Sequence, residues 1–191
     1  MKNRYYNIIY KYFKDKRTSK GVPYMNHIDE GIEILKELEA NNKTIEAYTL
    51  HPFIQCVNLK GADGKIIMTQ EEMEKYLNIY EIDSEVIAKL FLYRKFANSY
   101  LCRIETDGIL FCKARQLVED LKNYPDVIKM LIADKVQNYR DFLIYRKNNH
   151  KRSNELDYYF NMWLNVLGSL TKDSIDKKIL NKYKNDLREI R

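Results

Sequence analysis

Residues 125–142, PDVIKMLIADKVQNYRDF, limit what this chain can fold into more than any other stretch. Val127, Met130, Leu131, Val136, Tyr139 and Phe142 recur at roughly helical intervals, which predicts a helix with an apolar face. Pro125 suits the first turn, where a missing N–H costs little, and Asp126 favours the positive helix start. Asp134 then follows the apolar run MLIA. A carboxylate there is costly unless a metal, a cation or hydrogen-bond donors meet it. Asn138 and Asp141 follow at i+4 and i+7, so the three project from one helix face. On spacing alone, that stripe reads equally well as a solvated surface or as a polar lining turned inward.

The rest of the chain gives helical signals and no convincing strand alternation or internal repeat, so the expected fold is all-α. Residues 4–15 predict an aromatic-rich helix, and 16–21 (KRTSKG) a basic loop ending in glycine. A helix over about 25–40 would bury Ile28, Ile32, Leu35 and Leu38, with His27 in its first turn. The next, 42–57, carries His51 and should kink or end near Pro52. After a turn at 61–64, the pattern Thr69-Gln-Glu-Glu72 is a capping box for a helix to about Asn78. Helices over 83–101 and 113–122 flank a loop at 106–108. After the basic turn 146–152, Ser153 is the expected cap of a helix ending at Gly168. A last helix, 171–190, should bury Ile175, Ile179, Tyr183, Leu187 and Ile190.

At 191 residues the chain suits one domain, 1–191, able to bury roughly 70% of its unfolded surface. Cys56, Cys102 and Cys112 form no CxxC pair, which favours reduced thiols and a cytoplasmic location. No apolar run approaches the ~20 residues needed to cross a membrane, so no membrane partner is expected. The modest net charge of +6 suits an anionic small ligand as well as nucleic acid. Glu interspersed with Lys argues against nucleic acid as partner. Oligomeric state leaves no trace in the sequence. The sixteen Tyr, with abundant Lys, Asn and Ile, point to an AT-rich source.

His27, His51 and Asp134 are polar points on otherwise apolar helices, and two imidazoles with a carboxylate suit a divalent metal such as Mn²⁺. Taken alone, each histidine reads more readily as an ordinary hydrogen-bonded core or surface residue. Their surroundings add a resemblance. Gly21-Val-Pro-Tyr-Met-Asn-His27 resembles the G-x-P-Y-x-x-H opening of HD-domain phosphohydrolases of the RelA/SpoT type, which hydrolyse (p)ppGpp. His51 falls where the histidine of the family's His-Asp pair stands. Val127 to Asn138 is similar to the later motif V-x-x-x-x-x-A-D-[RK]-x-x-N, and Leu167-Gly168 to the end of a following helix. The resemblance spans roughly residues 5–170 and implies an HD-superfamily helical domain. It makes Asp134 the final metal-ligand aspartate and Asn138 the nucleotide-contacting asparagine.

The departures bear on activity. Pro52 stands where the family has Asp, and Gln55 and Cys56 replace its acidic Glu-Asp pair. A lost carboxylate removes a hard ligand, and Gln cannot take a proton from water. The expectation is therefore a pseudoenzyme, with no catalytic residue and no bound cofactor, that holds a phosphorylated nucleotide by sequestration or sensing. A phage-encoded scavenger would fit. His27, His51, Asp134 and Asn138 would contact the ligand. Lys16, Arg17 and Lys20 on one loop and Lys147, Lys151 and Arg152 on another would attract its phosphates, and Tyr24 or Tyr145 would stack on its base. The rivals are a metal-dependent nucleotide phosphohydrolase using His27, His51 and Asp134, with Cys56 as a softer ligand, and a plain protein-interaction module.

Overall fold

The computed structural model describes residues 3–18, 21–58, 64–97 and 116–191, and these are all-α. Among them there is no strand, only isolated bridges at Arg17–Pro23 and Val57–Met68. The chain divides into two compact units, Met1–Arg94 and Lys95–Arg191, each described here by itself. Lys20, Cys102, Cys112, the loop at 106–108 and most of the turn at 61–64 lie outside the described residues. No helix of the described residues is long and apolar enough to cross a membrane.

The first unit is built from α1 (Tyr6–Phe13), α2 (Tyr24–Glu37), α3 (Asn42–Gln55), α4 (Gln70–Ile79) and α5 (Ser84–Ala97), in whose last turn the division falls. The expected inner face of α2 is buried at Ile28, Ile32, Leu35 and Leu38. Asn41 caps α3 by accepting from the Thr44 N–H. Pro52 lies inside α3, which ends three residues later as the Cys56 N–H donates to the Pro52 carbonyl. The capping box that opens α4 is formed in both directions between Thr69 and Glu72. Several tyrosines serve an aromatic stack: Phe53 and Tyr76 lie 5.2 Å apart, and Tyr76 and Tyr80 5.8 Å. Gly31 faces the buried Tyr48 so closely that an added Cβ would stand 1.9 Å from its hydroxyl. Only glycine lets α2 approach α3 there.

The second unit holds a short helical segment at 116–121, then α6 (Pro125–Tyr145), α7 (Ser153–Leu170) and α8 (Ser174–Ile190). Helix α6 outlasts the expected range by three residues and is buried on nearly every side from Val127 to Gln137, as a core helix should be. It packs against both α7 and α8. Met130, Leu131, Ile132 and Ala133 are fully buried, as is Trp163 of α7.

Three local expectations are corrected. Ser153 does not cap α7; its hydroxyl donates to the Lys147 and His150 carbonyls and closes the preceding turn. Helix α7 does not stop at Gly168 but runs on to Leu170, where Thr171 donates through its N–H and its hydroxyl to the Leu167 carbonyl. Gly168 instead sits close to Leu180, 3.6 Å from where a Cβ would be. Finally, Asp173 caps α8, so that helix starts later and buries Asp176, Leu180, Tyr183 and Leu187. Ile175 and Ile190, expected inside, are exposed.

Candidate functional site

Within the first unit, α2 and α3 bring the two histidines together. His27 Nε2 lies 2.8 Å from His51 Nε2. His51 is fully buried, and its Nδ1 meets the Tyr48 carbonyl. A carbonyl only accepts, so Nδ1 carries the proton and Nε2 offers a lone pair. His27 Nε2–H then donates to it. Tyr48 supports the partner as well, its hydroxyl donating to the His27 carbonyl at 3.3 Å. His27 thus donates to His51 and His51 to the backbone, and a ligand entering here must replace the bond the two rings share. A backbone carbonyl on Nδ1 is also how metal-ligating histidines are oriented. Two imidazole nitrogens on adjacent positions of one cation stand about 3 Å apart, so the pair fits a divalent ion.

The end of α3 beyond His51 supplies no base. The Gln55 amide donates to the Tyr93 hydroxyl at 2.9 Å. Burial pushes the Cys56 thiol up to about 12, against a hydrogen bond from Tyr24 and the charge of Lys16, both of which favour the thiolate. Cys56 is therefore a packed thiol and a poor ligand at neutral pH. It should resist alkylation at pH 8 in the native protein and react once unfolded, as peptide mapping by mass spectrometry would show. Rapid native labelling at Cys56 would mean that this end of α3 opens.

Within the second unit, Asp134 is 1% exposed, which excludes the solvated-stripe reading at that position. Its compensation includes a cation and a hydrogen-bond donor from its own helix. Lys135 Nζ stands 2.9 Å from Oδ2, and Asn138 Nδ2 donates to Oδ1 at 2.8 Å. Lys135 is itself buried, donates to the Ala97 carbonyl at 3.2 Å, and lies 5.2 Å from the Trp163 ring. Burial lowers the pKa of such an ammonium, but Asp134 and then Tyr159 outweigh it and hold Lys135 above its ordinary value. Neighbouring helix residues do not normally face each other, so the spacing gave no hint of this pair. Asn138 and Asp141 are half-buried.

The basic residues are less free than their spacing suggests. Lys16 Nζ donates to the Ile67 carbonyl at 2.7 Å and lies 3.6 Å from the Tyr12 ring centroid. Arg17 donates to the Gly21 carbonyl. Lys147 donates to the Arg191 carbonyl at 3.2 Å, Arg152 grips Glu155 through two nitrogens, and Lys151 is exposed. Tyr24 packs on Phe13 at 5.5 Å, whereas Tyr145 is exposed at the end of α6. Besides Lys135 and Tyr48, the sequence reading passed over Glu30, a half-buried carboxylate one turn beyond His27. An H-x-x-E spacing on α2 was the available signal.

Comparison of the chain with protein-family models, with curated proteins and with solved structures finds no match. The likeness to HD phosphohydrolases therefore stands as a resemblance of motifs, and the function is argued from the residues.

Proposed function

We propose that the chain is an HD-like helical protein that binds a phosphorylated nucleotide or nucleotide signal and holds it intact. The observation that carries this reading is the imidazole pair, His27 and His51, whose nitrogens converge at 2.8 Å on a site with no base from the end of α3. His27 would turn its N–H from His51 to a phosphate oxygen, and Asn138 would keep its carbonyl oxygen for a ribose or base edge. Asp134 is already balanced by Lys135, so no cation is required to make its burial tolerable. Sequestration or sensing needs no more than this. The test is what comes with the protein. A nucleotide released on denaturation and detected by mass spectrometry, with no stoichiometric metal, is the expected result.

One observation favours a second reading. The orientation of His51 by the Tyr48 carbonyl suits a metal ligand, and a phosphohydrolase using His27, His51 and Asp134 would hold Mn²⁺ or a similar ion. Such an ion would polarise a phosphate and activate water. About one equivalent of transition metal, lost with phosphohydrolase activity on chelation, would establish that reading and overturn the first.

A further inference from the structure

We propose that the cleft lined by Tyr139 of α6, Asn161 and Asn165 of α7, and Lys184, Arg188 and Arg191 at the end of α8 binds a small tetrahedral oxyanion, a phosphate or the end of a phosphate monoester. The proposal uses none of the residues assigned above to the nucleotide.

The register of α8 makes the cleft cationic. At about 100° per residue, Lys184, Arg188 and Arg191 fall within about 60° of one another, while Asp186 and Glu189 point about 140–200° away. Like charges at i and i+4 destabilise a helix unless something answers them. No carboxylate side chain lines the cleft. The nearest, Asp157, is committed: its Oδ1 accepts from the Tyr139 hydroxyl and its Oδ2 from Arg191, both at 2.6 Å. Asn161 closes that network by donating to the Tyr139 oxygen at 2.7 Å. Asp157 thus balances Arg191 alone. Lys184 donates to the neutral Asn165 at 2.7 Å, and Arg188 to the neutral Asn185 at 3.3 Å. Two positive charges are left facing one small space, which a dianion would balance.

Size narrows the occupant. The cavity measures about 90 Å³, the room of roughly three waters. A phosphate group fits inside, and anything larger attached to it would lie outside the cleft. Attraction to the negative end of the α8 dipole explains basic residues in its last turn. It does not explain Lys184, two turns from the end, whose ammonium is disfavoured by burial and by Arg188.

The test uses the full chain with inorganic phosphate as probe. Thermal unfolding is followed across a phosphate titration and in sodium chloride at matched ionic strength. The variants are Lys184→Gln, Arg188→Gln and, as a control on another face of α8, Lys178→Gln. Phosphate should raise the melting temperature of wild type and of Lys178→Gln beyond the chloride effect. Its apparent affinity should fall at least tenfold in both cleft variants. A parallel titration with methyl phosphate separates the two sources: equal binding assigns the site to a monoester, and binding of inorganic phosphate alone to the free ion. A phosphate effect no larger than that of chloride overturns the proposal. So does a full response in both cleft variants, which would leave α8 with an ordinary basic end.

Discussion

Replacing Asp134 by Ala should destabilise the protein by about 3–5 kcal/mol, among the largest losses any single substitution here will cause. The reason is Lys135. Its ammonium is buried, held 2.9 Å from the Asp134 carboxylate, and has the Ala97 carbonyl as a further acceptor. Without Asp134 a buried charge is left without its counter-ion. Removing both charges is a different matter: Asp134→Leu with Lys135→Met should recover most of the loss, because well-packed apolar replacements of buried ion pairs are often neutral. Urea denaturation of the three proteins checks this. A loss below about 1 kcal/mol for Asp134→Ala would mean that water reaches Lys135. The pH dependence has a definite sign. Lys135 has its folded pKa held above the ordinary 10.5, chiefly by Asp134 acting against burial. Its contribution is therefore fully present below the unfolded value and disappears only as pH rises through the folded one. The Asp134→Ala loss should be largest near neutral pH and shrink as pH rises towards and past 10.5, because without Asp134 burial lowers the Lys135 pKa and the folded variant sheds that proton first.

Trp163→Ala should cost a comparable amount, about 3–5 kcal/mol. Trp163 is fully buried in α7, and its ring lies 5.2 Å from Lys135 Nζ. The loss combines apolar burial, the cavity left behind and a desolvated cation–π contact. Its indole N–H meets no acceptor among the described residues, so Trp163→Phe gives up area without orphaning a partner and should cost markedly less. Circular dichroism during denaturation reads both variants. As this is the only tryptophan in the chain, its fluorescence in the wild type reports the same site and should be blue-shifted until unfolding. Near-equal stability of Trp163→Ala and wild type would mean that α7 is peripheral to this core.

Much of the helical order was legible because apolar spacing and caps are local signals. The α2 face, the Thr69–Glu72 capping box and the core character of α6 all follow from residues a few positions apart. What failed lay in turn geometry and in packing. Ser153 has the right chemistry for a cap, yet its hydroxyl found better acceptors in the turn before it. Gly168 reads as a helix end, but its lack of a side chain serves the approach of Leu180. On α8 the aspartate at 173 set the start, and packing turned the face of Asp176, Leu180, Tyr183 and Leu187 inward. At the site, the sequence pointed to His27 and His51, which do meet, and to Asp134, which is buried. It missed Lys135 because charge pairing between adjacent helix residues depends on how the long side chain folds back. It missed Tyr48 because the tyrosine acts through a backbone carbonyl that no motif records.

The central proposal is that the chain binds a phosphorylated nucleotide, with His27 and Asn138 each needed for it. Calorimetric titration of wild type, His27→Ala and Asn138→Ala with a panel of guanine and adenine nucleotides tests it most directly. A nucleotide should bind the wild type, more weakly as salt rises because ions screen the attracting Lys and Arg side chains. Each substitution should weaken binding at least tenfold, about 1.4 kcal/mol, with the fold intact by circular dichroism. Affinities unchanged in both variants, or no binding of any nucleotide by the wild type, would contradict the account.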